Sequence, residues 1–218
     1  RRLTVMQAGT GYGKSTALST SLAHVPQPVY WYTITETDTD PLLFLLHLVY
    51  AFRVRSERDR RRGERSLALP QAVGPDARYE PALDALVNDL AIALTDDAFL
   101  VLDDYHLVNA ASAVTALTDR LVEVAPAALH VILSTRHRPN LPGLARWRAR
   151  SEVLELGRED LAFRPAEIAA LFQLHGCGLS AAQVEAVAQE TEGWPIALQL
   201  IGQGVRAAGG VDRVLAGL

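Results

Sequence analysis

No stretch constrains the fold of this chain more than Met6-Gln7-Ala8-Gly9-Thr10-Gly11-Tyr12-Gly13-Lys14-Ser15-Thr16. A short apolar run, Leu3-Thr4-Val5-Met6, leads into it and Ala17-Leu18-Ser19-Thr20-Ser21-Leu22 leads out, the order of strand, glycine-rich turn and helix. From Ala8 the spacing fits the phosphate-binding loop G-x-x-x-x-G-K-[ST], with alanine in place of the first glycine. Gly9, Gly11 and Gly13 let the backbone curl so that successive N–H groups face phosphate oxygens. The helix that begins near Gly13 points the positive end of its dipole at the same place. Lys14 reaches the β- and γ-phosphates as a point charge, and the Ser15 hydroxyl suits Mg²⁺. With Tyr12 and Thr16, these residues form the candidate nucleotide-binding set. The alternative is a glycine-rich turn with a solvated lysine, which leaves the placement between strand and helix unexplained. A dinucleotide fingerprint, G-x-G-x-x-G, is excluded because its third glycine falls on Lys14.

At 218 residues the chain has room for one large domain, or for a medium domain and a small one. Its net charge of −4 gives no sign of a basic face for nucleic acid. The single cysteine, Cys177, excludes an internal disulfide and suits a reducing, cytoplasmic location. No apolar run approaches the roughly 20 residues that span a bilayer; the longest, Pro41 to Phe52, contains His47 and reads as a core helix. The chain enters its first strand at once, without a signal-peptide core, so it is expected to be a segment of something longer.

Beyond the loop, Val29 to Ile34 is rich in strand formers, Thr35 to Thr39 reads as a polar loop, and Asp40-Pro41 has the cap chemistry that opens a helix. The charge-dense stretch Arg53 to Arg65 is either a basic contact patch or a solvated helix end and loop. Its acids partly cancel its arginines, which favours the second reading. Leu67 to Arg78 reads as loop. Leu83, Leu86, Val87, Leu90 and Leu94 recur at helical spacing. Phe99 to Asp103, His130 to Arg136 and Val153 to Leu156 read as strands, with a helix from Ser112 to Val124 and a short basic segment from Leu144 to Arg150. After Asp160 only helices follow, over Pro165–Leu174, Ser180–Glu192 and Pro195–Val205, and Ser180-Ala181-Ala182-Gln183 has the form of a capping box. The expected architecture is therefore an α/β domain over residues 1–157, a three-layer P-loop NTPase fold with a parallel five-stranded sheet, followed by a small all-helical domain over 158–218.

Asp103 and Asp104 end an apolar run. A nucleotide fold needs an acid at the C-terminal end of a strand beside the phosphate loop to hold Mg²⁺, and Asp103 supplies it. Asp104 is then placed to orient or deprotonate an attacking water; alone, the pair also reads as an ordinary strand cap. Arg136, at the end of the next strand, is either a surface arginine or a reader of the γ-phosphate. His106, His137 and His175 have no partners at metal-ligand spacing, and His175-Gly176-Cys177 lacks the second pair a zinc site needs.

Taken together, these segments resemble the MalT-like and large LuxR-type transcriptional regulators of the STAND class of P-loop ATPases. Ala8 to Ser15 is similar to the family's A-P-A-G-Y-G-K-T. Val29-Tyr30-Trp31-Tyr32 with Glu36, Asp38, Asp40 and Pro41 resembles W-x-x-L-D-x-x-D-N-D-P. Leu100 to Leu107 is similar to L-V-L-D-D-Y-H, Leu133-Ser134-Thr135-Arg136 to L-x-S-R or T-T-R, and Thr191 to Leu200 to T-E-G-W-x-x-G-L-Q-L. The resemblance implies a nucleotide-binding domain followed by the helical domain of a switch. It also implies that Gly193-Trp194-Pro195 matches a G-x-P motif whose proline contacts the adenine. Ser15 replaces the family's commoner threonine, and the segment usually preceding the first strand is absent here, as are the family's downstream domains.

Three functions follow as expectations. The leading one is a regulatory switch that binds ATP or ADP with Mg²⁺, hydrolyses ATP slowly and self-associates in the ATP state, with DNA bound only through a domain outside this chain and no membrane partner. A metabolic P-loop enzyme such as a small-molecule kinase would need a lid with several arginines, for which Arg146, Arg148 and Arg150 are the candidates. A non-hydrolysing, ADP-bound interaction module would need Lys14 but not Asp104.

Overall fold

A computed structural model describes residues 1–53 and 79–208. The charge-dense stretch from residue 54 onward and the loop up to residue 78 lie outside the described residues. The chain divides into two units, Arg1–Gln7 with Leu18–Leu156 and Ala8–Ala17 with Gly157–Leu218.

The first unit holds a parallel sheet of five strands, β1 (Leu3–Gln7), β2 (Val29–Thr33), β3 (Ala98–Asp103), β4 (Leu129–Thr135) and β5 (Val153–Leu156), in the order β2-β3-β4-β1-β5. Its interior strands are apolar at nearly every position because crossover helices cover both faces. Leu100, Val101 and Leu102 of β3 and Val131 and Leu133 of β4 are wholly buried. The edge strand β5 lacks this protection and leaves Leu154 exposed. The helices are α1 (Lys14–Leu22), α2 (Pro41–Arg53), α3 (Glu80–Ala93), α4 (Ser112–Val124) and α5 (Leu144–Ala149), of which α1 straddles the division between the units. The short basic segment is thus a helix, held by Trp147, which is fully buried and donates from Nε1 to Glu123 at 2.8 Å. Helices α3 and α4 are joined by Arg120, which donates to both carboxylate oxygens of Asp84 at 2.7 and 2.5 Å.

The connection from β1 to β2 skips to the far edge of the sheet, whereas β5 joins on the other side of β1. Strand order therefore reverses at β1, the kind of position outside whose carboxyl end open α/β sheets bind ligands.

The polar loop expected over Thr35 to Thr39 is a 3₁₀ turn over Glu36–Thr39. Asp38 causes it. This carboxylate is fully buried and accepts from the Thr35 amide at 2.7 Å and the Thr35 hydroxyl at 2.9 Å, while His47 Nδ1 of α2 lies 2.7 Å from its other oxygen. Burial by itself raises the pKa of Asp38, but its bonds to Thr35 and His47 outweigh that and hold it below the usual carboxylate value. A lowered pKa stabilises the fold above the unfolded-state pKa, and that stabilisation is lost as pH falls through the folded-state value. Asp38→Asn replaces a charged acceptor with a neutral amide that has one acceptor oxygen, and is expected to cost about 1–3 kcal/mol at pH 7. Denaturant melts should show the gap between variant and wild type closing as the pH is taken below about 4.

In the second unit lie the residues of the glycine-rich loop, a one-turn helix α6 (Arg158–Leu161) not foreseen from sequence, and α7 (Pro165–Leu174), α8 (Ala181–Thr191) and α9 (Pro195–Ala208). Its separate core includes Ile168, Phe172, Val187 and Leu198. The capping box of α8 forms as expected: the Ser180 hydroxyl accepts from the Gln183 amide at 3.3 Å, and the Gln183 side chain accepts from the Ser180 amide at 2.9 Å.

Candidate phosphate-binding site

The loop begins where β1 ends and closes at the first turn of α1, where Ala17 N–H donates to Gly13 O at 2.7 Å. Gly11 and Gly13 have φ of 79° and 69°, the left-handed region that glycine enters without steric cost. At Gly13 an added Cβ would meet nothing within 4 Å, so backbone conformation rather than crowding demands glycine there. Lys14 is 8% exposed, and its ammonium donates to Ala8 O at 2.8 Å and Gly9 O at 3.1 Å, pulling both ends of the loop around the charge.

The amides of Gly11, Tyr12 and Gly13 donate to no group among the described residues. Consecutive N–H groups left open beside a buried ammonium and a helix N-terminus are the donor set a phosphate requires. The residues present therefore fit a nucleoside phosphate. Ser15 and Thr16 are exposed on the first turn of α1. Pro195 opens α9, and the Trp194 indole before it lies 6.4 Å from the Tyr12 ring, centroid to centroid. Loop and Pro195 thus fall in one unit.

The first unit brings Asp103, Asp104 and Arg136 to the C-terminal edge of its sheet, at the ends of the adjacent strands β3 and β4. Asp103 is 4% exposed, and one of its carboxylate oxygens accepts from the Asp104 amide at 3.0 Å. Asp104 takes a left-handed conformation, φ 57°, and its carboxylate is 3.7 Å from His106 Nδ1. Arg136 is exposed. Sequence reasoning passed over Ser134: its buried hydroxyl finds no partner among the described residues, and it stands one position past the last β3–β4 register pair, beside Asp103. The available signal was a hydroxyl inside an apolar strand. No group of three or more His, Cys, Asp or Glu able to hold a metal occurs among the described residues. Mg²⁺ asks for less, because it keeps most of its waters and is held by one or two carboxylates together with substrate phosphates.

Over 205 residues, 92% of its length, the chain is 30% identical to the HTH-type transcriptional regulator MalT of Vibrio cholerae, and over 209 residues it is 32% identical to MalT of Serratia proteamaculans. This similarity to MalT runs over nearly the whole length of the chain. It spans about one fifth of these curated relatives, 21% and 22% respectively. No protein-family model matches it. Among solved structures, the Walker-type ATPase of Pyrococcus abyssi superposes with a TM-score of 0.58 at 12% identity, covering 99% of this chain and 65% of that one. Cdc6p of Pyrobaculum aerophilum superposes with a TM-score of 0.51 at 13% identity, covering 96% of this chain and 57% of that one. The fold is that of the P-loop ATPases. No described helix is long and apolar enough to cross a membrane.

Proposed function

We propose that this chain is the ATP-binding switch region of a MalT-like transcriptional regulator, with a nucleotide-binding domain over residues 1–157 and a helical domain over 158–218. The observation that carries this is the loop itself: open amides at Gly11, Tyr12 and Gly13 beside a lysine held by loop carbonyls. ATP or ADP binds there through Gly9, Gly11, Tyr12, Gly13, Lys14, Ser15 and Thr16, with Pro195 against the adenine. Ser15 and Asp103 hold Mg²⁺, which neutralises charge on the phosphates. Asp104 takes the proton of the attacking water, and Arg136 distinguishes a triphosphate from a diphosphate. Hydrolysis is slow, and γ-phosphate contacts favour a self-associating form. DNA is bound by a domain outside this chain, and the location is cytoplasmic.

The kinase reading loses support because two of its three lid arginines are engaged: Arg146 pairs with Glu123 at 2.6 Å, and Arg148 donates from Nε to Glu155 at 2.9 Å. The switch reading is tested by measuring retained nucleotide, ATP turnover and particle size with and without ATP. Slow turnover and an ATP-dependent increase in size are expected. Asp104→Asn is expected to bind ADP as wild type does while turnover falls about a hundredfold, within the usual range for loss of a general base. Rapid turnover that requires a small-molecule acceptor would overturn the proposal, and unchanged turnover in Asp104→Asn would remove that residue from the chemistry.

A further inference from the structure

Two carbonyls of the loop are committed to partners far along the chain. Trp194 Nε1 donates to Thr10 O at 3.0 Å, across 184 positions, and the Ile196 amide in the first turn of α9 donates to Gly11 O at 3.3 Å. The approach is close enough to exclude a side chain at Gly11, where a Cβ would lie 2.6 Å from Ile196 Cγ2 and 3.0 Å from Trp194 Nε1. A backward anchor holds Trp194 in place: its amide donates to Thr191 O at 2.8 Å, and Gly193 O accepts from the Phe163 amide at 2.9 Å.

The peptide unit is planar and trans, so the carbonyl of one residue and the N–H of the next point in opposite directions. A partner that fixes Thr10 O therefore also aims the Gly11 N–H, and one that fixes Gly11 O aims the Tyr12 N–H. Those two amides, with that of Gly13, are the open donors of the loop. Left to itself, a glycine-rich loop would rotate these peptide planes freely, and a phosphate would bear the entropy of ordering them.

We propose that Trp194 is a positioning residue for phosphate, its indole N–H holding the Thr10–Gly11 peptide plane so that the Gly11 amide faces the anion. This rests on the nucleotide reading above. It differs from a role in gripping the base, since the indole nitrogen is spent on the loop backbone. It also makes the start of α9 part of the phosphate site, so that any movement of that helix end changes phosphate affinity.

The test uses the 218-residue chain with ADP, inorganic pyrophosphate and adenosine as probes, measured by calorimetry or by displacement of a fluorescent ADP. Trp194→Phe keeps a ring beside Tyr12 but removes the donor. Its affinity for ADP and pyrophosphate is expected to fall about tenfold, roughly one hydrogen bond, with adenosine within twofold of wild type. Gly11→Ala opens the same clasp by steric contact, so adding Trp194→Phe to it should cost no more than twofold further. Pyrophosphate affinity unchanged in Trp194→Phe overturns the positioning role, as does an equal loss for adenosine, which would make Trp194 a base contact, or full additivity with Gly11→Ala. Wild type that binds neither ADP nor pyrophosphate sinks the nucleotide reading and the positioning role together, whereas the other three outcomes remove the positioning role alone.

Discussion

Lys14→Ala is expected to weaken ATP binding by about two to three orders of magnitude, or about 3–4 kcal/mol. The ammonium is nearly buried, and it donates to the carbonyls of Ala8 and Gly9. An ammonium held at the loop pairs with phosphate oxygens bound there. At a few ångströms and an effective dielectric constant near 20, such a pair is worth about 4 kcal/mol. Removing the side chain also frees both loop carbonyls, so the loop loses order as well as charge. Calorimetric titration with ATP and ADP measures the loss. Because the site is partly screened, the wild-type affinity should itself fall as salt is raised, and that salt dependence should be shallower in the variant. An affinity within tenfold of wild type would show that the lysine is not the phosphate ligand.

Gly193→Ala should have the largest effect on stability, about 3–5 kcal/mol, enough to unfold a small helical unit of ordinary stability. Gly193 has φ of 71°, where an L-residue with a Cβ is strained by roughly 1–2 kcal/mol. The added carbon would also collide with the Phe163 carbonyl and lie 2.8 Å from the Phe163 nitrogen, both backbone atoms that cannot rotate away. Relieving that overlap breaks the bond from Phe163 N–H to Gly193 O and adds a cost of overpacking, typically 1–3 kcal/mol. Glu192 is already left-handed at φ 48°, so the chain has no slack on the preceding side. Thermal melts followed by far-ultraviolet circular dichroism should show the helical signal of α7–α9 lost at a markedly lower temperature. Gly13→Ala is the informative control, because it shares the positive φ but has open space around it and should lose far less stability.

Much of the element pattern was legible because it rests on local rules. The ends of α4 and β5 fall where they are expected from sequence, and Asp40 caps α2 by accepting from the Leu42 and Leu43 amides at 2.8 and 3.2 Å. Short elements were missed for the opposite reason. The 3₁₀ turn over Glu36–Thr39 is four residues long, held by Asp38 through Thr35 and through His47 of α2, and a four-residue α6 is likewise too short to show a period. Ser134 illustrates the limit for the site. In the sequence it is one polar residue near a strand end, and only the strand register sets it beside Asp103.

The glycine-rich loop was determined by sequence alone, because its chemistry needs fixed residue types at fixed spacing within eight positions. The same holds for the buried parallel strands, which declare themselves by continuous apolarity. Strand order was not so determined: β1 lies between β4 and β5 through hydrogen bonds between segments more than a hundred residues apart. Nor was the direction in which the loop's amides face. That depends on which partner takes the carbonyls of Thr10 and Gly11, and the partners, Trp194 and Ile196, come from the far end of the chain. A loop of glycines carries the capacity for many peptide orientations in its sequence, and only contacts from outside it select one.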